Sequence, residues 1–273
     1  MGWEATLLYI FAGCLAGIFA GLLGISGGVV TVPLLVVSFS LLDFPIGEPM
    51  HVALGTSLAS MVFNSLSSAI SHYKKSGIVW KVIVWMIPGI IVGSFLGALT
   101  AHLTPDEILQ MLFGFFLLSL GVYFLKKYHL PEGEHRLPSN IVQTGIGICI
   151  GYLSNILGIG GGVFLVPLLA YFRVPFTKAI GTSALLGGII SFIGALFYLY
   201  LGMQSSTDFP NSVGYLYIPA FLIISVVSFG MAKVGAKLAH TWPTQILRRV
   251  FGCLLLTTGF SMLLQYLDLL KSP

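Results

Sequence analysis

The spacing of the charged residues constrains this chain more than any other feature. Eight stretches carry no Asp, Glu, Lys or Arg: 5–42, 49–73, 82–105, 108–125, 137–172, 179–207, 209–232 and 250–267. A membrane-spanning helix needs about 20 predominantly apolar residues, and six of the stretches suit one span each. The other two, 5–42 and 137–172, have 38 and 36 residues. As straight helices at ~1.5 Å per residue they would exceed ~50 Å, against a hydrocarbon core of ~30 Å. Each must therefore be broken. Composition agrees with a lipid environment: 56% of residues are hydrophobic and 8% charged, where a soluble domain carries about 25% charged residues. The chain reads as an all-α polytopic membrane protein. Its net charge of +4 is then a topology signal and does not point to nucleic acid.

The chain also contains one unit twice. Residues 24–35, GISGGVVTVPLL, match residues 158–169, GIGGGVFLVPLL, at nine of twelve positions. Gly55-Thr56-Ser57 returns as Gly181-Thr182-Ser183, and Gly97, Pro105, Gly114 and Gly121 return as Gly235, Pro243, Gly252 and Gly259. The expected organisation is a first repeat over 5–127, with a broken hairpin 5–42 and spans 49–73, 82–105 and 108–125. A cytoplasmic linker, 128–137, follows. The second repeat covers 138–268, with a broken hairpin 138–172 and spans 179–202, 212–235 and 247–267. Internal repeats of this size are a signature of secondary transporters.

Lys and Arg set the orientation. Lys74, Lys75 and Lys81 lie between two spans, and Lys126, Lys127 and Arg136 form a second basic loop. The next loop, with Arg173 and Lys178, is basic as well, so alternation fails once, across 137–172. If each long window is a re-entrant hairpin entering and leaving on one side, 12 of the 13 basic residues face inward. The two repeats are then inverted relative to each other, and both termini lie outside. Eight plain spans with parallel repeats are the alternative. They would place Lys233, Lys237, Arg248 and Arg249 outside. The start, MGWEATLLYI, lacks a basic flank for a cleavable signal. Cys14, Cys149 and Cys253 read as buried packing thiols.

The glycine breaks point to chemistry. Irregular backbone at membrane depth is tolerated only inside protein or beside a water-filled cavity. Each break precedes a short apolar helix, 29–42 and 163–171, with Pro33 and Pro167 near its start. A half-helix N-terminus carries free N–H donors and roughly +0.5 of a charge, so it attracts anions. Two inverted hairpins would offer two such ends to one anion. The expected binding residues are Ser26, Gly27, Gly28, Thr56, Ser57, Asn64, Asn155, Gly160, Gly161, Gly162, Thr182 and Ser183. Ser and Thr in membrane helices also pack helices together or bond to backbone, and that reading stays open for each hydroxyl. His102 and His240 hold matching positions and are candidates for proton coupling. His51 and Lys178 precede the two Gly-Thr-Ser triplets, as entrance guards or interfacial residues.

The doubled Gly-Ile-x-Gly-Gly-(x)4-Pro-Leu-Leu, each copy followed by a Gly-Thr-Ser helix, resembles the sulfite exporter TauE/SafE family. So does SHYKKSGIVW, residues 71–80, with His72, Gly77 and Trp80. The resemblance spans nearly the whole chain. It implies an inner-membrane permease for small anions such as sulfite or organosulfonates like sulfoacetate, exporting by alternating access on the proton motive force. The expected partners are the anion and the bilayer, without nucleic acid, with a homo-oligomer left open. No cofactor and no metal are expected.

Gly24-Ile25-Ser26-Gly27 also fits the Gly-x-Ser-Gly of a rhomboid-type protease, which needs a His on a neighbouring helix. The repeat copy GIGGG lacks the serine and keeps every other feature, so symmetry accounts for the glycines and a nucleophile does not. No catalytic residue is assigned. Import of another small anion and a non-transporting scaffold are the remaining alternatives.

Overall fold

The glycine breaks divide both long windows as their length requires. In the computed structural model, which describes residues 2–25, 27–42, 44, 46–73, 77–126, 137–205, 210–238 and 244–269, the first window is α1 (Trp3–Leu23) and α2 (Gly28–Leu41). The second is α6 (Asn140–Ile156) and α7 (Gly162–Tyr171). The other helices are α3 (Pro49–Tyr73), α4 (Trp80–Leu103), α5 (Asp106–Leu125), α8 (Phe176–Gln204), α9 (Ile218–Leu238) and α10 (Thr244–Leu269). Among the described residues, seven of the ten helices, all but α2, α6 and α7, are long and apolar enough to cross a membrane. Outward faces carry bare apolar side chains, such as Ile141 at 85% and Val226 at 75% exposure. That surface suits lipid and not water.

Two local features differ from the sequence reading. Residues 212–217, expected inside a span, form a two-stranded antiparallel hairpin, β1 (Ser212–Val213) with β2 (Leu216–Tyr217), turned at Gly214 with φ +55°. Cys149 and Cys253 are exposed on outward faces; a thiol is apolar enough to face lipid and need not be buried. Pro33 and Pro167 each stand six residues into their helices. They lie past the first four N–H groups that lack an intrahelical partner, so the carbonyls of Val29 and Val163 forgo one helical bond each.

Glycine contacts give the helix pairing. On α4, Gly89, Gly93 and Gly97 recur every fourth residue and abut the backbone at Thr144, Ile148 and Tyr152 of α6. The numbers rise together, so α4 and α6 run parallel. Gly13 and Gly17 of α1 face Val227 and Ser228 of α9, and Gly235 faces Ile18, so α1 and α9 also run parallel. In contrast, Gly114 meets Leu263 while Gly121 meets Leu256, and α5 and α10 are antiparallel. Helices α3 and α8 are antiparallel too: Gly194 lies by Leu58 and Gly188 by Ser65. Small residues at these seams let backbones approach, which is how helices associate where no water drives them together. Each half thus packs its first helix on the fourth helix of the other half.

Candidate functional site

Both breaks adopt the same backbone path. Helix α1 ends at Gly24, left-handed at φ +67°, and α2 starts after Gly27 at φ +79°. Helix α6 runs out through Gly158 at φ +57°, and α7 starts after Gly161 at φ +71°. Only glycine takes these angles without strain, so the four glycines are a backbone requirement. As N-cap residues, Gly27 and Gly161 have no side chain with which to cap their helices. The N–H groups that open α2 and α7 must therefore find partners other than an N-cap side chain. The breaks also touch each other: a Cβ on Gly28 would stand 2.8 Å from the Gly158 carbonyl oxygen.

The two Gly-Thr-Ser triplets hold this joint. Ser57 donates its hydroxyl to the Gly158 carbonyl at 3.2 Å, and Ser183 donates to the Gly24 carbonyl at 3.5 Å. Thr56 accepts the Tyr217 backbone N–H at 2.9 Å, and Thr182 accepts that of Val79 at 2.9 Å. Gly55 and Gly181 admit the backbone carbonyls of Tyr215 and Gly77. In both copies the triplet ties its half of the chain to non-helical backbone of the other half. All four hydroxyls are fully buried. Thr56→Val keeps the shape but leaves the Tyr217 N–H without its acceptor, which costs roughly 1–3 kcal/mol. Thermal unfolding of the purified protein should show that loss, and an equal one for Thr182→Val.

Other expected residues fall around the same joint. Asn64 is buried, and its Nδ2 would lie 3.2 Å from a Cβ on Gly27. Asn155 is buried, gives Nδ2 to the Gly151 carbonyl at 3.0 Å, and leaves Oδ1 without a partner against Gly194. Gly160 sits between the left-handed Gly158 and Gly161. Ser26 and His240 lie outside the described residues. His102 is apart from the joint, at the far end of α4, and shares a 3.0 Å hydrogen bond with Tyr215 Oη. Among the described residues no group of three or more His, Cys, Asp or Glu could hold a metal.

Sequence reasoning missed Ser154. Its hydroxyl is fully buried, has no partner, and would be 3.2 Å from a Cβ on Gly161. It therefore adds a free donor beside the α7 N-terminus. The only available signal was its place next to Asn155. Also missed was the pairing of His51 with Asp106, at 2.8 Å.

Many apolar spans and paired glycine-broken helices define a multi-pass membrane protein of the transporter class. A family model described as sulfite exporter TauE/SafE matches residues 9–262. The chain belongs to the sulfite exporter TauE/SafE family, and is a membrane transporter and not an enzyme. It is 34% identical to a probable membrane transporter protein of Haemophilus influenzae, over 95% of this chain and 98% of that one. It is 31% identical to one of Methanocaldococcus jannaschii, over 94% and 95%, and 29% identical to one of Bacillus subtilis, over 89% and 94%. No solved structure matches it.

Proposed function

We propose that the protein exports small oxyanions, sulfite or an organosulfonate such as sulfoacetate, across the inner membrane, driven by the proton motive force. The observation that carries this reading is the meeting of two uncapped, glycine-lined helix N-termini, α2 and α7, between the buried helices α3 and α8. Free N–H groups and two converging dipoles favour an anion without the cost of burying Lys or Arg. The anion lies against Gly27–Val29 and Gly161–Val163, with Asn64 and Ser154 at its edge. Thr56, Ser57, Thr182 and Ser183 hold the two ends in register.

The two halves are inverted repeats, each a re-entrant hairpin followed by three spans. Supporting this are the antiparallel packing of α3 on α8 and of α5 on α10, each pair being equivalent elements of the two halves. With the basic loops inside, both termini face outward. One half rocking against the other gives alternating access. A ligand that binds the folded state stabilises it by about 2.7 kcal/mol at 100 times Kd. Sulfite or sulfoacetate should therefore raise the unfolding temperature above that in chloride of equal ionic strength. No shift with sulfite, sulfoacetate, thiosulfate or sulfate would count against the site.

A further inference from the structure

We propose that His51 and Asp106 form a proton-binding site that carries the coupling proton, a proposal that rests on the transport reading above. Both ring nitrogens of His51 face acceptors: Nδ1 is 2.8 Å from Asp106 Oδ1 and Nε2 is 2.9 Å from the Ala101 carbonyl oxygen. A neutral imidazole donates from one nitrogen only, so only the imidazolium satisfies both bonds. The ring is buried at 1% exposure, and a buried acceptor facing a lone pair is costly.

The carboxylate opposite is built to stay ionised. Asp106 Oδ2 accepts the Met50 N–H at 2.9 Å, and Oδ1 accepts the His51 N–H at 3.0 Å. Asp106 thereby sits at the N-terminus of α3 while being the first residue of α5, so two helix dipoles favour its charge. Glu48 is a second carboxylate acting on His51, and its Oε2 is buried without a partner. Tyr215 covers the other face of the ring, with centroids 5.1 Å apart and planes 30° apart. Tyr215 in turn bonds to His102. Burial pushes the Tyr215 phenol up to about 12, so it is a neutral hydroxyl at working pH.

The proton therefore stands where α3, α4 and α5 of the first half meet the β1–β2 hairpin of the second. That hairpin is also held by Thr56, five residues on from His51. Loss of the proton turns an Nε2 lone pair toward the Ala101 carbonyl oxygen, leaves Asp106 and Glu48 uncompensated, and removes the cation from the Tyr215 ring. All three effects loosen the hairpin from α3. The positions aligned with His51 and Asp106 in the second half are Thr177 and Thr244. The second half therefore does not repeat the His–Asp pair at the aligned positions.

Two measurements test it. In proteoliposomes, one coupled proton shifts steady-state sulfite accumulation about tenfold per pH unit of gradient. Wild type should follow that slope, while His51→Gln and Asp106→Asn should show none. Wild-type protein labelled with 15N-histidine should show one histidine with both ring nitrogens protonated at neutral pH, and His51→Gln should lack that signal. A neutral His51 ring, or a His51→Gln variant that accumulates sulfite along the gradient as wild type does, overturns the proposal. A wild type that moves no anion but shows the His51 imidazolium overturns the transport reading and supports the proton site.

Discussion

Gly161→Val is expected to abolish anion flux in protein that still folds. Gly161 has φ +71°, a conformation that costs a side chain roughly 1–3 kcal/mol. A β-branched residue is the worst case. Against a typical total of about 5–15 kcal/mol, that cost leaves most of the protein folded. The new side chain would press on Ile190 and reach toward Ser154 Oγ. It would cover the N–H groups that open α7, and the anion would lose one of its two helix ends. Gly27→Val, at φ +79°, should act alike on α2. Flux measured on monodisperse protein decides the matter, and wild-type flux in a folded Gly161→Val protein contradicts the site.

Asp106→Ala should give the largest loss of stability. It removes the partner of a buried His51 cation together with the acceptor of two N–H groups at the start of α3. Breaking a buried ion pair by deleting one member costs about 3–5 kcal/mol, and losing a helix cap adds about 1 kcal/mol. For a chain of this size each kcal/mol is worth ~2–4 °C, so the drop in unfolding temperature should approach or exceed ~10 °C. Asp106→Asn keeps one of the two acceptor oxygens and should lose less. An Asp106→Ala protein that melts with wild type would show that the His51 pair holds nothing together.

The spans and the breaks were legible because both are local. Charge-free windows have a length, lipid has a thickness, and two windows were too long to stay whole. Glycines then marked the breaks at 24–28 and 158–162, where the backbone is left-handed at Gly24, Gly27, Gly158 and Gly161. The family followed from the same residues. Contacts between halves were not legible. A hydroxyl reads the same in sequence whether it meets a ligand or a carbonyl a hundred residues away, as Ser57 meets Gly158. His51 and Asp106 are 55 residues apart, and nothing between them announces the pair. The hairpin at 212–217 escaped notice because its residues are apolar enough to pass for the start of a span. The recurrence of Gly89, Gly93 and Gly97 could have been read as a packing seam, and its partner, α6, could not.

The most direct measurement is sulfite flux in proteoliposomes containing the purified wild-type protein, with and without an imposed pH gradient, and with sulfoacetate, thiosulfate and sulfate as competitors. The expected result is protein-dependent sulfite flux that responds to the gradient and is reduced by at least one of the other oxyanions. Folded protein that moves none of these anions, with or without a gradient, would contradict the account.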